Sequence, residues 1–139
     1  MEVKLKLENN MEIVASNKSG LETMFDAYPA AGAEGKAATP MEVMLETIGA
    51  CSMMDIATII RKKRKQITKL EAIINSERAA EHPKVFTKVN IKYILTSPDA
   101  ELNDLERAVE LSHSTYCAVS AMFKRSGSEV NTESELIKA

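Results

Sequence analysis

Thr39-Pro40-Met41-Glu42-Val43-Met44-Leu45-Glu46-Thr47-Ile48-Gly49-Ala50-Cys51-Ser52-Met53-Met54-Asp55-Ile56-Ala57-Thr58-Ile59-Ile60-Arg61-Lys62-Lys63-Arg64-Lys65 is the stretch on which the reading of this chain turns. It opens with a hydroxyl residue at a helix N-cap and a proline at the first helical position, where no N–H is needed. Glu42 falls at the third helical position and completes a capping-box pattern with Thr39. Val43, Met44, Ile48, Cys51, Met54, Ile56, Ile59 and Ile60 then supply apolar positions around more of the helix than a single stripe, so burial on several sides is expected. The basic run from Arg61 to Lys65 suits the negative end of the helix dipole and reads as a solvated helix end.

On the N-terminal side, Val3 to Leu7 alternates apolar and charged residues, the period of a half-buried strand. Asn9-Asn10 makes a hairpin turn to a return strand over 11–15, and Asn17 to Gly20 turns again to a short strand over 21–25. A surface loop containing Gly32 and Gly35 spans 28–39. On the C-terminal side, strands are expected over 70–76 and around Val89, Ile91, Tyr93 and Leu95. Helices follow over 102–111 and about 115–124, and a last strand over 129–137. The order β-β-β-α-β-β-α-α-β makes an α+β fold with mainly antiparallel pairing. A long apolar helix between two small sheets has more surface to bury than one short chain covers, which points to a dimer packed through its helices.

With 139 residues, 45% of them hydrophobic, the chain is expected to form one domain, 1–139. A net charge of −2 argues against a nucleic-acid partner, and the absence of Trp argues against a base-stacking platform. MEVKLKLENN lacks the apolar core of a signal peptide, and no unbroken apolar run reaches the roughly 18–20 residues of a membrane span. A cytoplasmic protein with no membrane association and no cofactor is expected. Two cysteines are too few for a disulfide scaffold, and in that compartment thiols stay reduced unless a reaction oxidises them.

Cys51 and Cys117 are therefore either buried, inert thiols or a redox pair. Cys117 is expected in the first turn of its helix, where free N–H groups stabilise a thiolate. Asp55 lies one turn on from Cys51 and shares its face, where a carboxylate raises a thiol pKa. Glu42 falls about half a turn round the axis from Cys51 and reads as a capping residue. His82 and His113 lack the spacing of metal ligands, so no metal site is expected and both are assigned to surface or loop positions. Met41, Met44, Met53 and Met54 are expected in core or interface.

Three segments carry a family resemblance: Thr39 to Leu45 leading into Gly49-Ala50-Cys51-Ser52-Met53-Met54-Asp55; Glu77-Arg78 with Glu81-His82-Pro83-Lys84-Val85-Phe86-Thr87; and Leu111-Ser112 with Tyr116-Cys117-Ala118-Val119-Ser120. Together and in order they resemble the OsmC/Ohr family. The resemblance implies an OsmC-like fold, antiparallel sheets around a central cysteine-bearing helix in an intertwined homodimer. It also implies a thiol peroxidase of organic hydroperoxides in an oxidative or osmotic stress response. Cys51 would be the peroxidatic cysteine and Cys117 the resolving one, with an external thiol as reductant. Two features depart from the family pattern. The glutamate that follows the proline in family peroxidases is replaced by Met41 and shifted to Glu42. No arginine precedes Arg61, leaving Lys18 near the equivalent stretch and Arg78 as a candidate substitute. An alternative reading is a non-enzymatic OsmC-like dimer that binds an apolar ligand in the interhelical cavity.

Overall fold

A computed structural model describes residues 1–139, which group into two compact units, Met1–Glu46 and Thr47–Ala139. In the first unit, β1 (Val3–Asn9), β2 (Glu12–Asn17) and β3 (Glu22–Phe25) form an antiparallel meander in the order β1-β2-β3. Asn10 takes a positive φ of 48° in the first hairpin, a conformation asparagine tolerates. The segment after β3 is held more firmly than a surface loop requires. Asp26 is buried, and its carboxylate accepts the N–H groups of Ala27 (2.8 Å) and Lys36 (3.0 Å), closing the loop around a short 3-10 turn at Pro29–Ala31. Those N–H donors, led by that of Lys36, hold the Asp26 carboxyl below its ordinary pKa.

The helix α1 runs from Pro40 to Lys62. Its capping box is present: Glu42 N–H donates to Thr39 Oγ1 (3.3 Å), and Thr39 N–H donates to a Glu42 carboxylate oxygen (2.7 Å). It ends within the basic run, taking in Arg61 and Lys62, with Arg64 just beyond it at a φ of 60°. That run is more engaged than a solvated helix end, since Lys63 pairs with Asp104 (2.9 Å) and Lys65 donates to the Asp99 carbonyl (2.7 Å). Burial along α1 is also narrower than expected: Ile48, Ser52, Ile56 and Ile60 form one fully buried stripe at four-residue spacing, while Met44 and Met54 are exposed. Counted as a helix rather than as an unbroken apolar run, α1 is long and apolar enough to cross a membrane, a correction to the sequence estimate. Its buried stripe packs as a core helix does. Gly49 lies so near Ile74 that an added Cβ would sit 2.7 Å from the Ile74 Cδ1 atom.

The second unit is built on β4 (Lys69–Arg78), β5 (Phe86–Ser97) and β6 (Glu129–Lys138), in the order β4-β5-β6. β4 and β5 are antiparallel, whereas β5 and β6 are parallel from Lys88↔Glu129 to Ser97↔Lys138. A parallel neighbour needs a crossover, which α2 (Leu102–Leu111), a π-helical turn (Ser112–Tyr116) and α3 (Ala118–Arg125) supply. β5 is the central strand, and its inward residues Val89, Ile91, Tyr93 and Leu95 are no more than 1% exposed. With Ile48, Ile56, Ile60, Leu105 and Ala108 they form the core.

Candidate functional site

α1 delivers Cys51 and Asp55 one turn apart on the same face, as the spacing predicts. Cys117 arrives from the crossover. Its N–H donates to the Ser112 carbonyl (2.8 Å), an i to i−5 bond that closes the π turn, and the same residue caps α3 in an extended conformation. Helix α3 therefore starts at Ala118, later than the sequence suggests, and Cys117 is its N-cap rather than a first-turn residue. The thiol sulfurs of Cys51 and Cys117 and a carboxylate oxygen of Asp55 lie within 4.8 Å of one another. Ser112 Oγ donates to Asp55 Oδ2 (2.9 Å), fixing the carboxylate between the helix and the π turn. Isolated π turns of this kind often occur at functional sites.

The cap favours a Cys117 thiolate as expected, since the Ser120 N–H donates to its sulfur at 3.3 Å. Burial outweighs it. Desolvation, aided by Cys51 and the negative charge of Asp55, pushes the Cys117 thiol up to about 11. The expectation of a thiolate stabilised by the helix terminus is thus reversed by the thiol's surroundings. Cys51 is half-buried and Cys117 is 3% exposed, so Cys51 is the sulfur that a reagent meets first.

A buried polar chain runs behind the thiols. Ser52 Oγ lies 2.7 Å from the Ile48 carbonyl and 2.5 Å from Tyr93 OH; Tyr93 OH lies 2.7 Å from His113 Nε2; His113 Nδ1 lies 2.8 Å from Ser120 Oγ. The proton positions follow from counting donors. The Ile48 carbonyl can only accept, so Ser52 donates to it and receives the Tyr93 proton. Tyr93 then accepts from His113 Nε2–H, and Nδ1 accepts from Ser120. One neutral imidazole tautomer satisfies every member. The electrostatics agree: burial, with the Lys124 ammonium adding to it, lowers His113 to about 4. Burial likewise pushes the Tyr93 phenol up, so it stays protonated.

His113 is thus a buried network residue and not the surface or loop histidine expected from sequence. Lys124 also binds its backbone carbonyl (2.8 Å). The sequence does hold one signal for the network: Tyr93 sits at a buried position of β5 among aliphatic residues, and a buried tyrosine hydroxyl needs a partner. Nothing in the spacing of Ser52, Ser112, His113 and Ser120 names those partners.

The two supporting candidates have other partners. Glu42 accepts from Thr39 N–H and from Tyr28 OH (2.8 Å), and these bonds hold its carboxyl below the ordinary glutamate value. Arg78 donates to the Lys84 carbonyl (2.7 Å) and stacks over the Phe86 ring at 5.8 Å, with no bond to Asp55 or to either cysteine. No metal geometry involves His82 or His113. The donor cluster is Cys51, Asp55 and Cys117.

The profile of the OsmC-like protein family matches residues 33–133, and the chain belongs to that family. It is 31% identical over 125 residues to Protein YhfA of Escherichia coli K12, covering 90% of each chain. Its fold matches a crystal structure of a hypothetical protein from Aquifex aeolicus at a TM-score of 0.87 and 30% identity, over 99% of this chain and 96% of that one. It also matches an organic hydroperoxide resistance protein from Legionella pneumophila at a TM-score of 0.67 and 18% identity, over 97% of each chain, a likeness of fold. The α+β architecture with two small sheets and three helices is that of OsmC/Ohr structures.

Proposed function

We propose that this protein is a thiol-dependent peroxidase that reduces organic hydroperoxides, acting as a cytoplasmic homodimer in a stress response. The observation that carries this reading is the approach of the Cys51 and Cys117 sulfurs to within 4.8 Å, a short closure from a disulfide bond of about 2.05 Å. The hydroperoxide-resistance fold of the Legionella neighbour supports it. Cys51, the more accessible sulfur, attacks the hydroperoxide as thiolate. The S–O bond forms as the O–O bond breaks, and the alkoxide takes a proton and leaves as the alcohol. Cys51 is then a sulfenic acid. Cys117 attacks that sulfur, the S–O bond breaks, the hydroxyl leaves as water, and a disulfide remains. An external dithiol reduces it by thiol–disulfide exchange. The site holds no lysine or arginine against the thiols, so Ser112, which orients Asp55, and Ser120, which donates to Cys117, are the positioning groups. Exposed apolar residues, among them Val3, Leu5, Leu7, Met54 and Met122, support the homodimer.

The second reading, a non-enzymatic dimer holding an apolar ligand, gains from the raised Cys117 pKa, to which burial contributes most and the nearby Asp55 adds, because it favours an inert Cys117 thiol. The cleft between α2, α3 and β6, about 790 Å³, does not support an apolar ligand, because Asn103, Arg107, Glu110, Lys124 and Glu133 line it. Adding cumene hydroperoxide to the reduced protein while titrating free thiols separates the readings. The expected result is loss of both thiols per chain with one alcohol formed. Retention of both thiols in excess hydroperoxide would sink the peroxidase.

A further inference from the structure

Cys51, Asp55 and Cys117 have a second chemistry available. Two sulfurs and a carboxylate oxygen within 4.8 Å of one another come close to a metal-ligand set. Around a tetrahedral Zn²⁺, with metal–sulfur distances near 2.3 Å and metal–oxygen distances near 2.1 Å, donors sit about 3.6–3.8 Å apart, so a contraction of about an ångström completes the geometry. The three come from two elements held against each other by the Ser112–Asp55 hydrogen bond. That bond occupies Oδ2 and orients the carboxylate, as an outer-shell partner of a ligating acid does. No lysine or arginine forms an ion pair with Asp55, so the site collects up to three negative donors without a protein cation to balance them. His113 is not a competing ligand, because both ring nitrogens are engaged by Tyr93 and Ser120.

We propose that reduced Cys51 and Cys117, with Asp55, form a three-ligand site for a thiophilic divalent cation of the Zn²⁺ class, its fourth position open to solvent. Two thiolates select such an ion over Mg²⁺ or Ca²⁺, which take oxygen ligands. The helical spacing of Cys51 and Asp55 hides the site from a search for ligand motifs, since the third ligand comes from the far end of the chain. The metal and the disulfide exclude each other: a disulfide removes two of the three ligands, and a bound cation occupies both sulfurs. The site stands on donor geometry and does not depend on the peroxidase reading.

The test uses Co²⁺ alone as a spectroscopic probe, added to the metal-free, fully reduced full-length chain without oxygen. The expected result is one equivalent bound per chain, with a thiolate-to-cobalt charge-transfer band and the intense visible bands of tetrahedral coordination, both lost when Zn²⁺ is added. Asp55→Asn keeps the shape of the side chain but removes the anionic ligand, and should weaken binding by at least the roughly 10–100-fold that loss of an outer-shell partner costs. Wild-type protein oxidised to its disulfide should show no charge-transfer band, a control that needs no variant to fold. Absence of the band in the reduced protein at equimolar Co²⁺ overturns the proposal. So does binding that is unchanged in the oxidised protein or in Asp55→Asn.

Discussion

In the first sheet, Val3, Leu5 and Leu7 alternate with charged neighbours, and each leaves 61% of its surface exposed. In the second, Val89, Ile91, Tyr93 and Leu95 alternate in the same way and are almost completely buried. The period of two is equally clear in both. The strands differ in place: β1 is an edge strand with a single neighbour, while β5 has a strand on each side and the buried stripe of α1 bonded to it through Ser52 and Tyr93. Alternation defines which side chains share a face. It does not say whether anything covers that face.

The largest expected effect breaks the comparison at its buried end. Leu95→Ala should cost about 2–5 kcal/mol in chemical denaturation, because the core around it can collapse only in part. In an isolated chain Leu5→Ala should stay within about 0.5 kcal/mol, as exposed substitutions do. In the homodimer proposed above, the melting temperature rises with protein concentration, and Leu5→Ala lowers it most in dilute samples. A concentration-independent melting temperature with a silent Leu5→Ala removes the dimer.

An intermediate effect probes the polar side of the same core. The His113 imidazole titrates near 6.5 when unfolded and at about 4 when folded, so between these values the unfolded chain binds the extra proton. Its contribution to stability is complete above pH 6.5 and is lost as the pH falls toward 4. The loss is on the order of 2 kcal/mol once the partial exposure of the ring is allowed for. Denaturation curves of the wild type and His113→Gln at pH 7.5, 6 and 4.5 check it. The variant should be weaker throughout but flatter across that window, and equal slopes would remove His113 as the source.

The smallest effect returns to the first unit. Thr39→Ala removes one arm of the capping box and should cost about 1 kcal/mol. A helix start stabilised mainly by packing would show no change in the same denaturation experiment.

These differences divide what was legible from what was not. The α1 start was legible because Thr39, Pro40 and Glu42 act within one turn of each other, and local hydrogen bonds need no distant partner. The order of the elements was legible for the same reason, as was the shared face of Cys51 and Asp55. Where the α3 boundary fell was not, because the π turn over Ser112–Tyr116 depends on the Cys117 N–H reaching back to Ser112 rather than on any propensity of those residues. His113 was misplaced because a histidine between two serines looks exposed until Tyr93 and Ser120 are brought to its ring.

By itself, the sequence determined the strands, the helices, the capping of α1 and the family to which the chain belongs, since these rest on periodicity and motifs that act over a few residues. Only the tertiary structure decided that Cys117 meets Cys51 and Asp55, and that burial rather than the α3 cap governs its thiol. Proximity between residues far apart in the chain, and the dielectric around them, are made by packing, and packing is a property of all the elements together.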